Sequence, residues 1–267
     1  MSPFVRSRPL KIVRNLAVLI GGILVAISAV PLDCWLYVLL ATVTVIWLPV
    51  EWFADAVGNK VLASARIAVA IVWLLALGQE VPFHFAPTLP ALGKPAFFLI
   101  GDSVSAGMSD ADKETWQKLL ARAHDIDVRD FSRMGATVGS ARKQAERIED
   151  GRGLVLLEIG GNDLLGSTTA DQYEERLDLL LADVCRLDRT VLMMELPLPP
   201  FANRFGMIQR SLARKYQVEL IPRRTFICVL TTPGATVDGV HLSRMGHEMM
   251  ADVVWKTISP AYDARKE

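Results

Sequence analysis

The sequence predicts an α/β domain with a parallel sheet, preceded by about three transmembrane helices. Apolar residues make up 51% of the 267-residue chain, and they are concentrated in its first third far beyond the needs of a soluble domain. From residue 96 onward, short apolar runs alternate with amphipathic stretches of helical period. Strands separated by helices imply βαβ units, whose parallel sheet is covered on both faces.

Three apolar runs within residues 1–81 predict a membrane anchor. They cover residues 16–32, 34–50 and 67–78, and the third extends back through residues 61–63. A spanning helix needs about 20 predominantly apolar residues. The first two runs meet this need, and the third does so by including Arg66, whose long side chain can reach the interface. Alternatively, the third run is a buried or interfacial helix, which would leave the rest of the chain in the cytosol.

The charges around the first run predict an orientation. Four basic residues precede it: Arg6, Arg8, Lys11 and Arg14. The positive-inside rule makes this end cytoplasmic, and three crossings then place everything after about Gln79 in the periplasm or outside the cell. The first run could instead be a cleaved signal peptide, since small residues occur near Ala26. Because two more apolar runs follow directly, we favour an uncleaved anchor. Residues 82–95 contain four prolines and predict a stiff linker.

The remaining part, residues 96–262, predicts one α/β domain. Strands are expected at residues 96–100, 128–131, 154–159, 190–195 and 218–221. Helices are expected at residues 113–123, 138–148, 170–187, 202–215 and 243–258.

Four short polar motifs follow predicted strands or precede the last predicted helix. They are GDS at 101–103, RMGAT at 133–137, GGND at 160–163 and DGVHLS at 238–243. Loops at the carboxyl ends of parallel strands meet at one edge of the sheet. Residues spread over about 140 positions are therefore expected to meet in one cleft.

The motifs contain the residue types of nucleophilic catalysis. The Ser103 hydroxyl needs a base, and His241 suits this role because the pKa of a histidine lies near neutrality. Asp238 lies three residues before His241 and can orient the imidazole from the same loop. Three donors are available for an oxyanion: the backbone N–H groups of Ser103 and Gly135 and the side-chain amide of Asn162.

These residues carry a resemblance to a known family. The GDS, GAT, GGND and DGVH blocks, in this order, resemble those of the SGNH/GDSL hydrolases, and the stretches GDSVSAG and LVLLEIGGND are similar to the multifunctional thioesterase/lysophospholipase L1 group. The resemblance covers about residues 95–260. It implies a flavodoxin-like three-layer α/β/α fold, a Ser103–His241–Asp238 triad and an oxyanion hole of Ser103, Gly135 and Asn162.

Other polar residues near the motifs are expected to have structural roles. Asp102 and Asp163 adjoin motif residues and are expected to brace their turns. Glu158 falls within a strand and is expected to be paired or to face a loop, and His247 is expected to be a structural histidine in the last helix.

Composition excludes several functions and leaves one question open. The formal net charge is zero and no basic tract occurs, so nucleic acid is not an expected partner. The three cysteines have no zinc spacing, and the predicted chemistry needs no metal or cofactor. Cys185 and Cys228 either pair in an oxidising compartment or remain buried free thiols.

The leading hypothesis is a membrane-anchored serine esterase that cleaves acyl or acetyl esters of lipids or envelope glycans through an acyl-enzyme. The alternative is an acyltransferase that modifies an envelope polysaccharide with the same triad and a membrane-protein partner. A third reading, a non-catalytic binding module on an anchor, is disfavoured by the intact Ser103, Asn162, Asp238 and His241.

Overall fold

The computed structural model describes residues 8–27, 29–107, 114–148, 152–186 and 188–263. The chain divides into two units. The first unit comprises Met1–Pro82 and Leu198–Met207, and the second comprises Phe83–Pro197 and Ile208–Glu267.

The described residues before the sheet form three long helices, α1 (Arg8–Ile27), α2 (Cys34–Trp52) and α3 (Asn59–Glu80), and α3 continues into a 3₁₀ turn, Val81–His84. Among the described residues, α2 and the stretch Asn59–His84 are long and apolar enough to cross a membrane. The described residues thus contain two such helices and not the expected three, because the apolar stretch of α1, Asn15–Val25, is shorter. The helix ends at Ile27, and residues 29–32, which lengthened the run in the sequence, lie in the following turn. Arg6 lies outside the described residues.

The apolar side chains of α2 and α3 are mostly exposed. Only 22% of the apolar window of α2 and 17% of that of α3 is buried. A core helix of a soluble protein would bury most of such a surface, because exposed apolar area of this extent is unfavourable in water. Exposure therefore distinguishes these two helices from core helices and gives modest support to an anchor.

Polar contacts join α2 and α3 near both ends of the helix pair. Arg66 donates two hydrogen bonds to the buried Glu51, at 2.9 Å from Nε and 2.8 Å from Nη2. At the other end, the Gln79 amide donates to Asp33 Oδ2 at 2.6 Å and accepts from the Asp33 backbone N–H at 3.0 Å. Arg66 thus forms an ion pair with α2, a role that the sequence analysis did not assign to it.

The second unit is built on a five-stranded parallel sheet, which confirms the predicted α/β class. Its strands are β1 (Ala96–Gly101), β2 (Val128–Asp130), β3 (Gly153–Glu158), β4 (Arg189–Met194) and β5 (Glu219–Ile221). Their order, β2-β1-β3-β4-β5, is that of flavodoxin-like doubly wound sheets. In this order β1 and β3 are neighbours, and the topological switch point between them is where such sheets carry their sites.

Eight helices of the second unit surround the sheet in the described part of the chain. They are α4 (Ser103–Ala106), α5 (Trp116–His124), α6 (Val138–Ala145), α7 (Gly161–Leu165), α8 (Ala170–Val184), α9 (Asn203–Tyr216, which begins in the segment grouped with the first unit), α10 (Arg223–Thr231) and α11 (Arg244–Ile258). Three of these helices, α4, α7 and α10, were not predicted from the sequence. The first two have only four and five residues, which contain too few turns for a clear period. Lys113 and Leu187, where two predicted helices begin and end, lie outside the described residues.

The core explains why the strands read as continuous apolar runs. Every residue of β3 is buried, as are five of the six residues of β1. A parallel strand covered on both faces has no solvent side, so apolar residues fill consecutive positions. Trp116 of α5 and Leu156 of β3 belong to one buried cluster, which includes residues of β1 and α11.

Candidate active site

Ser103 lies directly after β1, at the carboxyl end of the sheet. The strand ends at Gly101, and Asp102 caps the short helix α4 by accepting a hydrogen bond from the Val104 backbone N–H at 3.0 Å. Ser103 is the first residue of this helix and is 8% exposed. The cap fixes the turn, so the position of the serine is set by the end of a central strand.

The loop between α10 and α11 carries Asp238 and His241. An isolated bridge between Thr236 and Leu242 closes this loop, and the Val237 N–H donates to the His241 carbonyl at 2.9 Å. One Asp238 oxygen accepts the backbone N–H of Val240 at 3.0 Å and that of His241 at 2.8 Å. The other lies 2.6 Å from His241 Nδ1.

Those contacts determine the charge of Asp238. The backbone N–H of His241, followed by the imidazole and the Val240 N–H, lowers the pKa of this carboxyl to about 2, although the group is exposed. Asp238 is therefore ionised at every pH at which an imidazole titrates. An ionised acceptor at Nδ1 selects the tautomer that leaves Nε2 free to accept a proton.

The structure brings His241 and Ser103 together across 138 positions of sequence. His241 Nε2 lies 3.1 Å from Ser103 Oγ. This distance lies within the range that proton transfer from a hydroxyl to a base requires. The three residues Ser103, His241 and Asp238 thus form one continuous chain of hydrogen bonds.

Gly135 and Asn162, the other two expected site residues, lie on adjoining loops. The Asn162 amide donates to the carbonyl of Ala136, the neighbour of Gly135, at 2.9 Å. It also donates to Asp102 Oδ2 at 3.4 Å, and Asp102 is the neighbour of Ser103. Asn162 therefore contacts the segments that carry the other two expected oxyanion donors.

A further hydrogen bond joins two of these loops to one another. The backbone N–H of Val138, the first residue of α6, donates to the buried Asp163 at 2.7 Å. Asp163 follows Asn162, so this bond joins the loop of Gly135 to that of Asn162. It agrees with the bracing role expected for Asp163, and Asp102 braces its own turn through the Val104 N–H.

Two buried carboxyl groups lie under Ser103. Burial raises the pKa of Asp102 to about 6 and raises that of Glu158 well above its ordinary value. Glu158 accepts the Ser105 hydroxyl at 2.7 Å, and Ser105 in turn accepts the indole N–H of Trp116 at 3.2 Å. This connected network anchors α4 to β3 and α5. Glu158 is paired, as expected, but the roles of Ser105 and Trp116 were missed.

Gln144 is a second residue that the sequence analysis missed. Its side-chain amide accepts the Gly101 N–H at 3.0 Å and donates to the Gly101 carbonyl at 3.1 Å. The two bonds hold the end of β1 from the α6 side. The signal was present in the sequence, because Gln144 lies on the same helical face as the apolar residues Val138 and Ala141. A polar residue in such a stripe indicates a specific buried hydrogen bond.

The two cysteines with an open redox state, Cys185 and Cys228, are unpaired. Cys185 is partly buried, whereas Cys228 is exposed. The expectation that both would be buried is wrong for Cys228, which lies on the short helix α10.

A comparison with known protein families identifies this arrangement. The profile of the GDSL-like lipase/acylhydrolase family matches residues 99–249, which include all four polar motifs. The chain belongs to this family.

Individual relatives of this GDSL-like hydrolase are named for ester and thioester hydrolysis. Thioesterase 1/protease 1/lysophospholipase L1 of Escherichia coli K12 is 30% identical over 192 residues, which are 68% of this chain and 92% of that protein. Esterase TesA of Pseudomonas aeruginosa is 24% identical over 179 residues, 61% of this chain and 87% of that protein. The GDSL-like hydrolase is a carboxylic ester hydrolase.

A solved structure supports the fold. The psychrotrophic esterase EstA from Pseudoalteromonas sp. superposes with a TM-score of 0.55 at 20% identity, covering 62% of this chain and 97% of EstA. The compared part of the GDSL-like hydrolase is thus an α/β domain that resembles a complete esterase. The similarity leaves more than a third of this chain uncovered.

We predict that Gly246→Ala lowers the turnover of this GDSL-like hydrolase. A Cβ at Gly246 of α11 would overlap the backbone carbonyl oxygen of Ala235, so the loop that carries His241 would have to move. A displacement of about 1 Å costs up to about 100-fold in rate, and we expect a loss of that order in kcat/KM for p-nitrophenyl acetate. Asp252→Ala, on the exposed side of α11, is the control. Wild-type turnover by a folded Gly246→Ala protein would contradict this account of the loop.

We also predict that Asp102→Asn changes how stability depends on pH. The pKa of Asp102 in the fold, about 6, lies above its unfolded value of about 3.9, so the folded protein binds this proton more tightly. Stability from this group is fully present below about pH 4 and is lost as the pH rises through 6, by about 3 kcal/mol. The variant lacks this loss, whereas the exposed control Asp252→Asn keeps it. Unfolding midpoints of the full chain in detergent between pH 4 and 7 measure the difference, and parallel curves for Asp102→Asn and wild type would refute the assignment.

Proposed function

We propose that this chain is a membrane-anchored serine esterase that acts through an acyl-enzyme intermediate. One observation carries the proposal, namely the continuous contact from Asp238 through His241 to Ser103, with 2.6 Å between Oδ2 and Nδ1 and 3.1 Å between Nε2 and Oγ. A serine hydroxyl is a weak nucleophile until a base takes its proton. This contact supplies the base and its orienting carboxylate.

The reaction proceeds in two halves. Ser103 Oγ attacks the ester carbonyl carbon while His241 Nε2 accepts the hydroxyl proton, giving a tetrahedral oxyanion. The C–O bond to the alcohol then breaks, and His241 returns the proton to the departing alkoxide. In the second half, water attacks the acyl-enzyme with His241 as base, and collapse releases the carboxylic acid and restores Ser103.

The oxyanion is stabilised by the backbone N–H groups of Ser103 and Gly135 and by the Asn162 amide. Each is an uncharged donor, which suits a site where negative charge develops only in the transition state. In the free protein the Asn162 amide donates to Ala136 and Asp102. Loss of one such donor typically costs about 2.7–4 kcal/mol of transition-state stabilisation.

The proposed substrates are acyl or acetyl esters of lipids or envelope glycans, and lipid acyl esters are favoured. Two observations support this choice. The Escherichia coli relative is named a thioesterase and lysophospholipase, and two apolar helices precede the hydrolase unit in the same chain. A membrane anchor keeps an enzyme close to esters that reside in the bilayer.

We predict that Ser103→Ala abolishes ester cleavage and that Asp238→Asn lowers kcat by several orders of magnitude. The first variant removes the nucleophile, and the second removes the ionised acceptor that sets the imidazole tautomer, a change that costs about 10⁴-fold in serine proteases. A series of p-nitrophenyl esters from acetyl to palmitoyl measures both effects and the chain-length preference. Asp171→Asn, on the exposed start of α8, is the control. Undiminished turnover by Ser103→Ala would exclude the mechanism.

We further propose that the anchor is multi-pass and that the hydrolase domain is periplasmic or extracellular. This orientation requires α1 to cross as well. Its 20 residues give a length of about 30 Å, comparable with the hydrocarbon core, although its apolar stretch is shorter. The basic residues before this stretch favour a cytoplasmic start.

Reporter fusions test this topology. Alkaline phosphatase fused after residue 267 should be active, because it folds only outside the cytoplasm, and green fluorescent protein at the same point should be dark. Fusions within residues 53–58, between α2 and α3, should give the opposite pattern and serve as the internal control. If instead alkaline phosphatase is active within residues 53–58 and green fluorescent protein is bright after residue 267, α1 does not cross and the domain is cytoplasmic.

A further inference from the structure

Exposed apolar side chains border the candidate active site. Met134, Leu165, Val237 and Val240 are 59%, 69%, 63% and 38% exposed. We call these four residues the rim. Each lies within three positions of one residue of the site: Met134 beside Gly135, Leu165 three after Asn162, and Val237 and Val240 next to Asp238 and His241.

The rim residues come from three loops that the site brings together. Met134 lies between β2 and α6, Leu165 ends α7, and the two valines lie between α10 and α11. The Asn162 amide joins the first two loops at Ala136, and the contact between His241 and Ser103 brings in the third. The rim residues therefore lie on the three segments whose polar residues meet at Ser103.

Large apolar residues are exposed less often elsewhere in the second unit. Apart from the rim, those described in this unit are Phe85, Leu179, Ile227 and Met245. Leu179 and Ile227 lie on the helices α8 and α10, away from the four motifs in sequence. Exposed apolar side chains on each segment that carries a site residue indicate an interaction surface, because exposed apolar area is unfavourable in water.

The occupant that fits this surface is a phospholipid bilayer. The same chain carries two helices long and apolar enough to cross a membrane. Leu89 is buried in the core of the second unit and follows Glu80, the end of α3, by nine residues, a reach of about 30 Å at most. The unit is thus held near the bilayer. Arg133, exposed beside Met134, suits the phosphates of the headgroups.

We propose that the rim docks on the phospholipid surface and lets an ester pass from the bilayer to Ser103 without crossing water. This inference rests on the proposed function, because it assumes an anchored esterase. Its new content is the surface: Met134, Leu165, Val237 and Val240 enter the headgroup region, while Ser103 and His241 remain behind them.

Full-length protein in nanodiscs of phosphatidylcholine and phosphatidylglycerol tests the rim. The variant Leu165→Ser/Val237→Ser removes two exposed apolar side chains, and Leu179→Ser/Ile227→Ser removes two from helix surfaces as a matched control. Turnover is measured on water-soluble p-nitrophenyl acetate and on a long-chain phospholipid ester in the disc. We expect the rim variant to keep the first activity within about twofold and to lose about tenfold or more of the second, whereas the control keeps both.

Hydrogen–deuterium exchange separates bilayer docking from contact with the acyl chain of a bound substrate. In Ser103→Ala protein without ester, the backbone of residues 131–137, 160–168 and 236–242 should exchange more slowly in nanodiscs than in amphipol. The rim variant should lose this protection. Equal exchange in both media would overturn the proposal, even if turnover of the lipid ester falls. Failure of the proposed function is visible separately, as ester cleavage that survives Ser103→Ala.

Discussion

One contact determines the arrangement of the site, the 3.1 Å approach of His241 Nε2 to Ser103 Oγ. The two residues are 138 positions apart, so no local turn can bring them together. The parallel sheet does so, because the carboxyl ends of its strands lie at one edge. Ser103 follows β1, and the His241 loop follows β5 and α10. The loop must then keep its shape without a strand of its own, which it does through the Asp238 carboxylate and the bridge from Thr236 to Leu242.

The pKa values of two carboxyl groups near the site are shifted in opposite directions. Asp238 is exposed and receives three N–H donors, which lower its pKa to about 2. Asp102 is 3% exposed, and burial raises its pKa to about 6 although one backbone N–H and the charge of His241 act against the increase. The two pKa values differ because the carboxyl groups differ in solvent exposure and in the number of N–H donors, although both residues are aspartates. Of the two, only Asp238 is ionised over the whole pH range in which an imidazole titrates. It is therefore the carboxylate suited to orient His241.

Sequence patterns were sufficient for the sheet and for the motif residues. The predicted strands agree with all five observed strands within about a residue or two. The inner strands β1 and β3 are uninterrupted apolar runs because they are buried on both faces, whereas the edge strands β2 and β5 are short and partly exposed. The motif residues were selected by their type, because serine, histidine and aspartate side chains that meet at one edge of a sheet can form a catalytic triad. In this chain they are Ser103, His241 and Asp238. Apolar periodicity did not predict the helices whose formation depends on a local cap or on the end of a strand. The short helices α4 and α7 exist because Asp102 caps one and a strand end leads into the other, and a count of apolar positions detects neither.

The same limit explains the first apolar run. The apolar run covers residues 16–32 in the sequence, but only its helical part can serve as a membrane span. That part ends at Ile27, where α1 ends. Ala29 then takes a left-handed backbone conformation with φ 51°, and Pro31 follows, so the apolar residues after Ile27 add no helical length. The third run is the opposite case, because Arg66 interrupts its apolar residues but lies within the continuous helix α3. Its pairing with Glu51 satisfies the charge inside the helix pair, because both oxygens of a buried carboxylate are occupied by one guanidinium. A charged residue such as Arg66 therefore interrupts the apolar run but not the helix. The turn after Ile27 ends the helix although the apolar run continues.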